Sequence, residues 1–103
     1  MKKDDENADV CPAQALLKLL AGKWKPQIFR MCLAGPVRFS TLLRDIGSTN
    51  RQSLSVALKE LGQSGLLSRT VISEKPLHVE YFLTGKGKEF VPVFETLEGI
   101  ADR

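Results

Sequence analysis

The stretch FSTLLRDIGSTNRQSLSVALKEL, Phe39 to Leu61, carries two apolar series with the same spacing. Phe39, Leu42, Leu43 and Ile46 fall at i, i+3, i+4 and i+7, and Leu54, Ala57, Leu58 and Leu61 repeat the pattern, so each series lines one face of a helix. Only Gly47-Ser48-Thr49-Asn50 separates them, which predicts two amphipathic helices joined by a tight turn. Thr49 with Gln52 three residues on has the form of a capping box, with the Thr49 hydroxyl accepting from the third-position amide. This starts the second helix near Asn50. With its leucines inward, that helix points Gln52, Ser55, Val56, Lys59 and Gln63 outward and sets Arg51 at the margin.

On the C-terminal side, Gly65 suits a left-handed helix cap. A run ending at Ser73, a Glu74-Lys75-Pro76-Leu77 break and a second run from His78 to Leu83 then predict a β-hairpin with a charged tip. Pro76 falls where no ladder N–H is needed. On the N-terminal side, Val37 and Arg38 read as a short extended segment before a helix that starts near Ser40. The order helix, turn, helix, hairpin is that of a winged helix-turn-helix, an α+β fold that is mainly helical. The outward amide, hydroxyl and ammonium groups of the second helix are the kinds that read base edges and phosphates. The expected DNA-contacting set is Thr49, Asn50, Arg51, Gln52, Ser53, Ser55, Val56 and Lys59 from that helix and its turn, with Arg38, Arg69, Lys75 and His78 from the flanking strand and hairpin.

The rest of the chain supplies the scaffold. Cys11-Pro12 reads as a helix start, with Cys11 as N-cap and Leu16, Leu17, Leu19 and Leu20 as the apolar stripe that follows, up to Gly22. Trp24, Ile28, Met31, Cys32 and Leu33 form a second stripe, with Pro26 in its first turn, Gly35-Pro36 closing it and Trp24 as a core anchor. Lys23 is expected to end a helix or meet DNA backbone. Thr84 is expected to cap a terminal helix carrying Phe90, Val93, Phe94, Leu97, Ile100 and Ala101, which Pro92 bends or shortens. So apolar a terminal face needs a partner surface, which one small domain cannot fully provide.

The 103 residues suffice for one domain, expected at 11–103 behind a disordered acidic tail at 1–10. No apolar run has the length of a membrane span or a secretory signal, so a cytoplasmic protein is expected. The net charge of +3 is unevenly spread: residues 18–88 hold twelve Lys or Arg against four acids, a net +8, while both ends are acidic. A polyanion is therefore steered to the middle of the chain. Cys11 and Cys32 fall on separate predicted helices, and the single His78 has no Cys or His at ligand spacing. Hence no disulfide framework, metal site, cofactor or catalytic constellation is expected.

From Cys11 to about Ala101 the chain resembles the HxlR-type family of MarR-like winged-helix transcriptional regulators. The matching elements are Cys11-Pro12, the GKW step at 22–24, Arg38-Phe39, LKEL at 58–61, GLLSR at 65–69, and VEYFLT at 79–84 followed by Gly87. The resemblance implies a homodimer on a partly palindromic duplex, held by N- and C-terminal dimerisation helices. It sets Leu16, Leu20, Phe90, Phe94, Leu97, Ile100 and Ala101 at the interface. Ile100 departs from the tryptophan that members often carry there. The resemblance also implies an oxidant or small-molecule effector, because some members sense oxidants or electrophiles through a cysteine placed like Cys11. A thiol at a helix N-cap would independently favour the reactive thiolate.

Two other classes stay open at this stage. A winged-helix protein-interaction module without specific DNA binding would present an acidic or apolar recognition helix, against which Gln52, Ser55 and Lys59 speak. A small thiol enzyme would need a base or resolving cysteine near Cys11, and only Cys32 and His78 exist.

Overall fold

The structure is a computed structural model and describes residues 11–14, 17–18 and 21–103. The expected acidic tail and the interface residues Leu16 and Leu20 lie outside the described residues. After a helical segment that includes Gln14, Leu17 and Lys18, the elements are α1 (Lys25–Met31) with a 3-10 turn (Cys32–Ala34), β1 (Val37–Arg38), α2 (Phe39–Ile46), α3 (Arg51–Gln63), β2 (Leu67–Glu74), β3 (Leu77–Leu83) and α4 (Gly85–Ala101). The antiparallel sheet has the order β1-β3-β2. Val37 lies opposite Tyr81 and Arg38 opposite Glu80, while Arg69 faces Tyr81 and Thr70 faces Glu80 on the other side. A bulge between Val71 and Ser73 lets β2 continue to Glu74, so the hairpin break shrinks from four residues to Lys75-Pro76.

Helices α2 and α3 are the expected pair, with the cap one residue later than the capping box implied. The Asn50 side-chain oxygen, not the Thr49 hydroxyl, accepts from the Ser53 N–H at 2.8 Å. The physical reason is that Asn50 is the last extended residue (φ −132°, ψ 172°), and an Asn there satisfies an orphan amide as well as Thr does, contributing about 1 kcal/mol. Gly65 closes the other end at φ 85°, a conformation that a Cβ disfavours. Leu54, Ala57, Leu58 and Leu61 are all buried, as their spacing demands.

The core forms where α1, α3 and α4 meet the inner face of the sheet. Phe29 is fully buried at its centre, edge-on to Phe90 at 5.7 Å and tilted against Phe94 at 4.9 Å between ring centroids. This corrects the assignment of Phe90 and Phe94 to a dimer contact: each is only 7 % exposed within its own chain. Trp24, expected as a core anchor, is partly buried and packs against the core from its margin. Pro92 neither shortens nor splits α4. It lacks the N–H that would reach the Lys88 carbonyl, and both residues are exposed.

The start of α4 is fastened to the end of α3. Thr84 caps it by accepting from the Gly87 N–H at 3.0 Å, and its hydroxyl donates to the Gly65 carbonyl. Gly87 packs so closely that a Cβ there would run into the Leu66 carbonyl oxygen. The wing and the recognition helix thus leave one junction as a fixed pair. No helix among the described residues is long and apolar enough to cross a membrane.

Candidate nucleic-acid interface

The outer face of α3 is built from Arg51, Gln52, Ser55, Val56 and Lys59, all exposed. Its first turn holds no acidic residue. Arg51 sits in that turn, where the positive end of the helix macrodipole disfavours a cation. The guanidinium is steadied instead by the Phe39 ring, 5.9 Å from its centroid, which ties α2 to α3 through a cation–π contact.

A cleft of about 460 Å³ opens between α3, the end of β1 and the wing, lined by Arg38, Phe39, Ser40, Arg51, Ser55, Arg69, Leu77, Val79 and Tyr81. Three arginines from three separate elements converge there with no acidic side chain in the lining. Like charges brought together repel, so folding gains nothing from the arrangement, and an anion seated in the cleft relieves it. A smaller adjoining cleft of about 300 Å³ runs along Ser55, Lys59, Gly62 and Arg69. Tyr81 lines both clefts. Sequence reasoning quoted Tyr81 only as part of VEYFLT; its signal was strand alternation, which sets Val79 and Tyr81 on one face of β3.

The remaining expected contacts separate into two groups. Lys75 at the tip of the wing and Arg38 and Arg69 at its base are exposed. Asn50 spends its side-chain oxygen on the α3 cap, and Thr49 and Ser53 are half-buried, so these three shape the turn. His78 is corrected from a phosphate-facing group: its Nε2 lies 3.0 Å from the Glu80 carboxylate, and both side chains are about three-quarters covered. A carboxylate so close makes the position a poor anchor for phosphate.

The two thiols differ sharply. Cys32 is buried, and burial pushes its thiol up from an ordinary value near 9.0 to about 11. Cys11 is exposed. Its carbonyl accepts from the Gln14 N–H at 2.9 Å, and among the described residues the first helical bond runs from Leu17 N–H to the Ala13 carbonyl at 3.0 Å. The regular helix therefore starts at Gln14, and Cys11 lies ahead of it rather than at its N-cap, because Pro12 and Ala13 form a turn first. Among the described residues no three His, Cys, Asp or Glu side chains are grouped to hold a metal ion.

Comparison with known proteins agrees with this geometry. The family model described as HxlR-like helix-turn-helix matches residues 19–103. An HTH-type transcriptional regulator of Methanothermobacter thermautotrophicus is 37 % identical over 94 residues, covering 91 % of this chain and 70 % of that one. The HTH-type transcriptional regulator YodB of Bacillus subtilis is 33 % identical over 95 residues, covering 91 % and 85 %. The solved reduced form of YodB superposes with a TM-score of 0.80, at 33 % identity over 90 % of this chain and 92 % of that one. YodB has also been solved diamide-treated and quinone-bound. The redox regulator HypR in its oxidized form gives a TM-score of 0.80 at 30 % identity, covering 89 % and 95 %. With a winged helix-turn-helix, an arginine-lined cleft between helix and wing and these relatives, the chain belongs to the HxlR-like helix-turn-helix family and is a DNA-binding transcriptional regulator.

Proposed function

We propose that the protein acts in the cytoplasm as a homodimer on a partly palindromic operator, with α3 in the major groove and the wing against the flanking backbone. The observation that carries the reading is the cleft in which Arg38, Arg51 and Arg69 converge beside the outward face of α3. It gives backbone phosphates a seat next to Gln52 and Ser55, whose short polar groups are suited to base edges. The dimer is supported by Val93, Leu97 and Ile100, which are 44–54 % exposed along one flank of α4. Exposed Leu17 adds a large apolar side chain from the N-terminal helix.

Selection of bound sequences from a random duplex pool tests this and yields half-site and spacing together. Gln52→Ala or Ser55→Ala is expected to change preference at one base pair, costing about 1–3 kcal/mol there. Arg69→Ala or Lys75→Ala is expected to weaken every sequence alike and to flatten the salt dependence. Wing variants that shift sequence preference while helix variants leave it intact would reverse the assignment. A winged-helix module that binds protein would show no salt-dependent duplex binding beyond weak general attraction.

The same protein is proposed to respond to oxidants or electrophiles through Cys11. Support comes from the contrast between an exposed and a buried thiol and from relatives solved in quinone-bound and diamide-treated forms. Modification near the subunit contact would alter the distance between the two recognition helices, which must match one DNA turn of about 34–36 Å. Operator affinity is therefore expected to fall with peroxide, diamide or a quinone, to recover with dithiothreitol in the first two cases, and to be indifferent in Cys11→Ser. In the folded protein, iodoacetamide should label Cys11 and spare Cys32. Labelling of Cys32 at the same rate would contradict its burial, and unchanged wild-type affinity would remove Cys11 from regulation.

A further inference from the structure

On α3 the residues that line the wing-side clefts are Arg51, Ser55, Leu58, Lys59 and Gly62. A third cleft, of about 380 Å³, takes Gln52, Ser53, Val56, Ala57 and Glu60 on one side and Gly22, Lys23, Trp24 and Lys25 on the other. At about 100° per residue the two sets of α3 residues lie nearly on opposite flanks of the helix, with Gln52 between them. A helix with side chains is about 10–12 Å across and the major groove about 12 Å wide, so a helix in the groove brings phosphates close to both flanks. The wing serves one flank only.

We propose that the Lys23–Trp24 step is a second phosphate seat, which grips the backbone on the side of α3 away from the wing. This rests on the DNA-binding reading above and decides for Lys23 between the helix end and the DNA backbone that its sequence position left open. Lys23 is exposed, and its Nζ lies 5.2 Å from the Trp24 ring centroid, so the ring steadies the ammonium before any DNA arrives.

Glu60 is the group on this flank that would repel a phosphate. Lys25 holds it at 2.5 Å, with a side chain only 12 % exposed. The two lysines thus divide the work: Lys25 neutralises the carboxylate, and Lys23 keeps its charge for the backbone.

The test is fluorescence anisotropy of the purified protein on a labelled duplex over a range of salt concentrations. One phosphate contact scales as about the −0.9 power of salt, so K23A, which removes one contact from each protomer of the dimer, should reduce the salt slope by about 1.8 and weaken binding about thirty-fold at 0.15 M salt. The loss should be equal on selected and unrelated sequences, and K23R should retain the contact. K25A should also weaken binding by uncovering Glu60, and E60Q added to K25A should recover it, which a purely structural pair would not show. A K23A protein with wild-type slope and affinity overturns the second seat alone. Wild-type protein without salt-dependent duplex binding overturns the DNA reading on which it stands.

Discussion

Phe29→Ala is expected to cost about 3–5 kcal/mol of folding stability, the range for emptying an aromatic site in a closed core. The ring is fully buried and touches both phenylalanines of α4, so the variant loses its transfer energy, leaves a cavity and removes two aromatic contacts of about 0.5–1.5 kcal/mol each. Domains of this size are stable by only about 5–15 kcal/mol, and each kcal/mol shifts the midpoint by about 4–8 °C. Thermal melts at fixed protomer concentration should therefore fall by tens of degrees. Phe29→Leu, which keeps most of the volume, should fall much less. A loss under about 1 kcal/mol in Phe29→Ala would mean that α1 and α4 are not joined through this ring.

The double variant Leu97→Asp, Ile100→Asp is expected to be a folded monomer that binds operator about 10²–10⁴-fold more weakly, since it forfeits the linkage between half-sites. Both side chains are exposed in the protomer, unlike Phe90 and Phe94, so charges there need not disturb the core. Sedimentation velocity at micromolar concentration reads the oligomeric state, and titration of operator and half-site duplexes reads the affinity. Operator affinity should fall towards that for a single half-site, while half-site affinity is retained. A variant that stays dimeric with wild-type affinity would place the subunit contact elsewhere.

These two variants mark where sequence reasoning stops. The 3.6-residue period of the terminal segment correctly made it a helix with an apolar side, and Thr84 correctly made its cap. Periodicity says which residues share a face, however, and not what the face meets. Phe90 and Phe94 turned to the core because Phe29 waits there, while Val93, Leu97 and Ile100 were left outside. Phe29 itself went unread because α1 is short and packs on two sides, so its ring falls beside the stripe set by Ile28 and Cys32 instead of on it.

Local chemistry by itself determined the helix-turn-helix, the strand Val37–Arg38 and the wing, because apolar spacing, glycine at the α3 cap and a proline tip act over a few residues. It also named the wing-side cations, since a basic middle and acidic ends are properties of the chain. Tertiary structure alone decided which cations stand together. Arg38, Arg51 and Arg69 come from three elements and share a cleft only once the sheet and α3 are packed. Lys23 joins the flank of Gln52 only because α1 starts beside α3. His78 left the contact set once its strand placed Glu80 on the same face, two residues on. Side-chain chemistry is written in the sequence, but charges act through distance, and distances between remote residues are set by the fold.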